Sequence, residues 1–177
     1  LGYHNFVQFR PELRDRVIFV DSLSKTYGMP GWRVGFMAGP ESVAKAVTTL
    51  NSNHITNIPE VTTAAAIAAL SGPQDVPTAK NAEFQAKRDQ VLAAMQAIPG
   101  VVCPRPQGAF YVFPDISCAF RKSHNGAKID NDVDFCNALL DAKGVACVPG
   151  SAFGEPRALR ISYTCPTAQL PDGLKRI

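Results

Sequence analysis

Two short apolar runs, Val17–Val20 and Trp32–Ala38, flank ten residues, Ser22–Gly31, that hold two glycines and a proline. The first run is rich in β-branched residues and the second alternates until Gly39-Pro40. Each predicts a strand, the first a buried one, and the residues between them predict a loop. Helical patterns follow over Glu41–Leu50 and over the alanine-rich Val61–Leu70, which stops at Ser71-Gly72-Pro73. A longer helix is predicted from about Thr78 to Ile98, because Val91, Met95 and Ile98 recur at 4 and 3 spacing before Pro99-Gly100. The pattern then changes. Gly108–Phe113, Val145–Val148 and Ala158–Tyr163 predict strands. A helix over Asp132–Lys143 is expected to turn Val133, Cys136 and Leu140 to one face before Gly144. The expectation is an α/β fold in two layers, with a boundary near residues 72–80.

Composition narrows the classes. Of 177 residues, 46% are hydrophobic and 19% charged, ample for a buried core and unlike a disordered segment. No apolar run reaches the roughly 18 residues of a membrane span. The net charge is +3 with basic residues scattered singly, which predicts neither a nucleic-acid nor a membrane-surface partner. Five cysteines without a C-x-x-C, and three histidines without ligand spacing, predict no disulfide framework and no metal. Free thiols in a reducing cytoplasm are expected, and the opening Leu1-Gly-Tyr-His-Asn holds no apolar leader core. Both ends read as cut: the chain opens without methionine and stops inside a starting helix at Leu170–Ile177. It is therefore expected to be the second half of a longer polypeptide.

The chemistry concentrates in Asp21-Ser-Leu-Ser-Lys25-Thr-Tyr-Gly-Met-Pro-Gly-Trp-Arg33-Val-Gly35. If the two strands are neighbours, Ser22 and Arg33 lie at the two sides of one loop mouth, with Lys25 between them. A hydroxyl and a guanidinium fork converging on one spot make a receptor for a dianion, most simply phosphate. A lysine beside that cation and partly desolvated is pushed toward the free amine, which attacks carbonyls. Each residue alone has an ordinary reading: a surface lysine, an ion-paired or snorkelling arginine. Ser-x-x-Lys also occurs in penicillin-binding-type serine hydrolases, yet the S-D-N-like and K-T-G-like elements those need do not occur here. Arg160 shares a strand face with Ser162, opposite Leu159, Ile161 and Tyr163, and by itself reads as solvent-facing.

Ser22-Leu-Ser-Lys25-Thr-Tyr-Gly-Met-Pro-Gly-Trp-Arg33-Val-Gly resembles the lysine segment of class I/II aminotransferases, pyridoxal-phosphate enzymes of fold type I. Pro106-Gln-Gly-Ala-Phe-Tyr111 is similar to the family's P-x-G-A-F-Y strand, and Gly144–Gly154 to its V-x-P-G-x-x-F-G turn. Ala158-Leu-Arg160-Ile-Ser is similar to its carboxylate-binding strand, so the likeness runs over residues 11–177. The resemblance implies the C-terminal part of the pyridoxal-phosphate large domain over 1–75 and the small α/β domain over 76–177. It implies that Lys25 forms the internal aldimine and then moves a proton between substrate carbon and cofactor. Ser22 and Arg33 are implied to hold the cofactor phosphate, and Arg160 the substrate α-carboxylate. Trp32 and Tyr27 are expected to pack, and Asn57 is a candidate contact to a neighbouring subunit's site. The implied protein is a cytoplasmic homodimer acting on an amino acid and a 2-oxo acid. A β-eliminating lyase, a cyclopropane-forming synthase of the ACC-synthase type and a non-enzymatic regulator share the same motifs. In relatives the residues that contact the cofactor ring lie upstream of Lys25, so these 177 residues alone are expected to bind cofactor weakly and to be inactive. Which amino acid is used stays open.

Overall fold

A computed structural model describes residues 4–177. The opening Leu1–Tyr3, part of the stretch read for a leader, lies outside the described residues. The chain divides into two compact units, Leu1–Pro77 and Thr78–Ile177.

The first unit opens with α1 (Phe6–Phe9), where the Asn5 side chain accepts from the Gln8 amide and the Gln8 side chain accepts from the Asn5 amide, each at 3.1 Å. A 3₁₀ turn over Pro11–Arg16 leads to β1 (Phe19–Ser22). Then come α2 (Leu23–Thr26), a 3₁₀ turn over Pro30–Trp32, β2 (Gly35–Ala38), α3 (Glu41–His54) and α4 (Glu60–Ser71). The strands β1 and β2 pair antiparallel from Phe19 opposite Ala38 to Ser22 opposite Gly35. Two expectations are corrected here. Trp32 and Arg33 are not in the second strand, because Arg33 takes a left-handed backbone (φ 53°, ψ 44°) that interrupts extension. The first strand is not buried: Val20 is 72% exposed, as one face of a two-stranded ribbon has no layer over it among the described residues. The small core beneath is Leu23, Val34 and Ala66, with Tyr27, Met29, Ile58 and Ala69 packed around it.

The second unit is built on α5 (Asp75–Gln96), which buries Val91, Leu92 and Met95. It continues through β3 (Tyr111–Val112), β4 (Lys122–His124), β5 (Ala127–Ile129), α6 (Asp132–Lys143), β6 (Val148–Pro149), β7 (Leu159–Ser162) and α7 (Leu170–Arg176). An antiparallel sheet of order β3-β7-β6 packs its Val112, Leu159 and Ile161 with Val91, Met95 and Tyr163. The predicted inward face of α6 is also corrected. Asp132, Cys136 and Leu139 are buried, whereas Val133 and Leu140 are 43% and 48% exposed. The helix is turned so that the Asp132 carboxylate accepts from the Ser151 amide at 2.7 Å, a bond that a buried acid requires.

Lys87, although charged, is 4% exposed. Its ammonium donates to the Cys165 carbonyl at 2.8 Å, pairs with Glu83 at 2.9 Å and lies 5.4 Å from the Phe84 ring centre. It fastens α5 to the segment that enters α7.

Candidate active site

The first cluster forms where the β1–β2 ribbon opens. Ser22 ends β1, and the next amide, Leu23, donates to the Val34 carbonyl at 3.3 Å. That bond holds the Ser22 and Arg33 ends of the connection side by side. A side chain at position 35 would bring its Cβ within 2.7 Å of the Asp21 carbonyl and 3.3 Å of the Ser22 Cβ, so this approach needs glycine. The helix α2 starts at once and puts Lys25 one turn beyond Ser22, while Leu23, 1% exposed, pins that turn to the core. Ser22 donates its amide to Asp21 Oδ1 at 2.7 Å, and its hydroxyl makes no bond capping α2. Arg33 donates from Nη1 to the Pro30 carbonyl at 2.9 Å. Its left-handed backbone is a conformation that non-glycine residues adopt at a cost of about 1–3 kcal/mol, of the kind found at ligand-binding sites.

Ser22, Lys25 and Arg33 are thus brought to one end of one ribbon. A hydroxyl, an ammonium and a guanidinium suit a phosphate, and Gly35 puts no side chain among them. One expectation is corrected: Lys25 is exposed rather than desolvated, because α2 is a single turn with only Leu23 facing the core. Tyr27 is half-buried and donates its hydroxyl to Gln74 Oε1 at 2.9 Å, whereas Trp32 is 43% exposed. Asn57 is exposed and donates its amide to the Ile55 carbonyl at 2.8 Å.

The second cluster surrounds Arg160 in the second unit. Arg160 lies opposite Val148 on one side, and on the other Tyr111 faces Ser162, so Tyr111 and Arg160 are diagonal neighbours on one face. The guanidinium carbon is 4.5 Å from the Tyr111 ring centre and 4.5 Å from that of Phe153. Phe153 meets Phe113 edge-on at 6.1 Å, and Tyr111 contacts Phe110 at 4.5 Å. Phe153 ends a 3₁₀ turn over Gly150–Phe153. At Gly150 an added Cβ would lie 2.3 Å from the Glu155 carbonyl and 2.4 Å from that of Ala158. Asp132 ties the same turn down through Ser151. Burial pushes the Asp132 carboxyl up, but its hydrogen bonds, led by the Ser151 amide, outweigh this and hold it below the usual range.

Among the described residues Arg160 has no carboxylate partner and no hydrogen bond. Its neighbour Arg157 pairs with Glu155 at 3.0 Å. Sequence reading missed Tyr111, Phe153 and Asp132 as parts of this cluster. For the two rings the signal was the pair of aromatic motifs flanking the arginine strand. Among the described residues no group of histidine, cysteine or acidic side chains could hold a metal ion.

The mixed α/β chain matches part of solved structures of fold type I transferases. The family described as aminotransferase class I and II matches residues 2–177, and the chain belongs to it. It is 43% identical over 171 residues to the aspartate/prephenate aminotransferase of Cereibacter sphaeroides, covering 96% of this chain and 43% of that protein. It is 41% identical to an aspartate aminotransferase of Rhizobium meliloti, covering 96% of this chain and 42% of that one. The crystal structure of the aspartate aminotransferase from Rhizobium meliloti superposes with a TM-score of 0.93 at 38% identity, covering 98% of this chain and 44% of that chain. The aromatic aminotransferase from Pyrococcus horikoshii gives 0.81 at 30% identity, covering 92% and 42%. The chain therefore spans less than half the length of the curated relatives it matches.

Proposed function

We propose that this chain supplies the cofactor lysine and the substrate-carboxylate arginine of an amino-acid aminotransferase, which moves an amino group between an amino acid and a 2-oxo acid with pyridoxal 5'-phosphate. What supports this most is the placement of Ser22, Lys25 and Arg33 in the connection at one end of the β1–β2 ribbon, in a chain that the family matches over residues 2–177. Ser22 and Arg33 bind the phosphate, and Gly35 lets the two strand ends that carry them approach. When bound, the cofactor supplies an aldehyde and an electron-withdrawing ring. Lys25 Nζ takes the proton from the substrate α-carbon and returns it during transfer, and Leu23 fixes the turn from which it acts. Arg160 grips the substrate α-carboxylate through its N–H edges and so orients the C–H bond to be broken.

On this reading the first unit is the C-terminal part of the cofactor-binding domain and the second is the small α/β domain. We place the enzyme in the cytoplasm as a homodimer. The five free cysteines favour a reducing compartment. The exposed Leu50, Ile55 and Asn57 give a second subunit apolar and polar area to cover. The aspartate names of the relatives make L-aspartate the first donor to assay.

The test uses the protein expressed from its own reading frame, with L-aspartate and 2-oxoglutarate. Turnover should need the 2-oxo acid, and Lys25→Ala should lower it by about 10³-fold or more. Release of ammonia or pyruvate from a single substrate without a 2-oxo acid would instead assign a lyase. No turnover together with DNA binding would assign a regulator.

A further inference from the structure

We propose that Tyr111 and Phe153 form an aromatic clamp that sets the aim of Arg160 and so governs recognition of the substrate α-carboxylate. The inference rests on the reading of Arg160 given above and assigns two positioning residues that reading does not contain. A guanidinium has two faces and a rim of N–H donors, and only the rim binds a carboxylate in the two-point manner. Here the aromatic centres of Tyr111 and Phe153 lie at 4.5 Å from the guanidinium carbon, close enough for cation–π attraction. The rings use no N–H donor, and among the described residues no carboxylate or carbonyl uses one either. The clamp therefore limits the rotation of a long side chain and leaves its rim for the ligand.

Each ring is held from behind. Tyr111 rests on Phe110 and is bound in the sheet opposite Ser162. Phe153 rests edge-on against Phe113. The turn that carries Phe153 is anchored by the buried carboxylate of Asp132 on the Ser151 amide. Phe153 is itself 50% exposed, so it is not buried in the core of the unit.

The test compares two amino donors that differ only in the α-carboxylate, L-alanine and ethylamine, in the protein expressed from its own reading frame. The reaction of each with the cofactor-loaded protein is followed by the change in cofactor absorbance. Phe153→Ala and Tyr111→Leu should each lower kcat/KM for L-alanine by about 3- to 30-fold, through KM, and leave ethylamine unchanged. Phe153→Tyr and Tyr111→Phe, which keep the rings, should restore L-alanine. Equal losses with both donors would overturn the clamp, since the rings would then serve only the fold. So would an unchanged preference for L-alanine in both ring variants while Arg160→Ala abolishes it. If Arg160→Ala itself leaves the preference intact, the assignment of Arg160 to the carboxylate fails and the clamp fails with it.

Discussion

Arg160 has two aromatic ring centres at 4.5 Å from its guanidinium carbon and, among the described residues, no hydrogen bond, an arrangement that lysine cannot reproduce. Lysine offers a point charge, cannot bind a carboxylate through a planar fork and stacks less well on aromatic rings. Arg160→Lys should therefore raise KM for amino acids by about 10- to 100-fold, with a smaller change in kcat, as steady-state kinetics will show. Asp132 acts one step farther back. Asp132→Ala leaves the Ser151 amide without its acceptor and opens a gap at a buried position, at a cost of about 1–3 kcal/mol in urea unfolding. Asp132→Asn keeps an acceptor oxygen and should recover most of that. The charged and hydroxyl-bearing residues proposed for the site could be picked out in the sequence as candidates. Ser22, Lys25 and Arg33 stand within twelve residues in a loop between strands, and Arg160 sits in a strand with a recognisable motif. The Tyr111–Arg160–Phe153 stack was not legible, because it depends on strand register and on a turn that folds across the sheet. Asp132 was hidden for a related reason: helical periodicity puts apolar residues inside and has no term for one distant amide that needs an acceptor.

At the scale of elements, α5 is held by charge as well as by its apolar face. Glu83 accepts from Lys80 at 2.8 Å, from Lys87 at 2.9 Å and from the Thr167 hydroxyl at 3.0 Å. The two lysines and then the hydroxyl lower its carboxyl from 4.5 to about 2. A depressed carboxyl stabilises the fold above its unfolded value and loses that contribution as it is protonated. The share due to Glu83 should thus be intact above pH 4.5 and disappear as pH falls toward 2, and Glu83→Gln should flatten that part of the unfolding-midpoint profile. Lys87→Ala should cost about 1–3 kcal/mol in urea unfolding, since it removes buried methylenes and the donor to the Cys165 carbonyl. The long helix, the α6 limits and β7 were readable from period and punctuation, whereas β3 is only Tyr111–Val112 of the predicted Gly108–Phe113 and β6 shares only Val148 with the predicted Val145–Val148. The β4–β5 hairpin was missed although Asn125-Gly126, both at positive φ, is a strong type I′ turn signal. Its flanking residues, Lys122–His124 and Ala127–Ile129, are too polar to read as strands. The run Val17–Val20 predicts a buried strand because β-branched runs usually are buried, yet burial depends on a neighbouring layer rather than on the run's own residues.

For the molecule as a whole, the site and its surroundings are unequal in strength. The second unit has a continuous core from Val91 to Leu170, while among its described residues the first buries only Leu23, Val34, Thr62 and Ala66 and exposes Val20, Phe36, Leu50, Val61 and Ile67. Exposed ionic contacts are individually weak, about 1 kcal/mol or less. Ser22, Lys25 and Arg33 in the 177 residues alone should therefore bind pyridoxal phosphate with a Kd above about 100 μM, which a spectroscopic titration will measure. Tight one-to-one binding by these 177 residues would contradict that expectation. The most direct measurement is borohydride reduction of the protein expressed from its own reading frame, after loading with pyridoxal phosphate, followed by peptide mapping. The account predicts one pyridoxyl label, on Lys25, that is lost in Lys25→Ala. A label on another lysine, or one that survives that substitution, would contradict it.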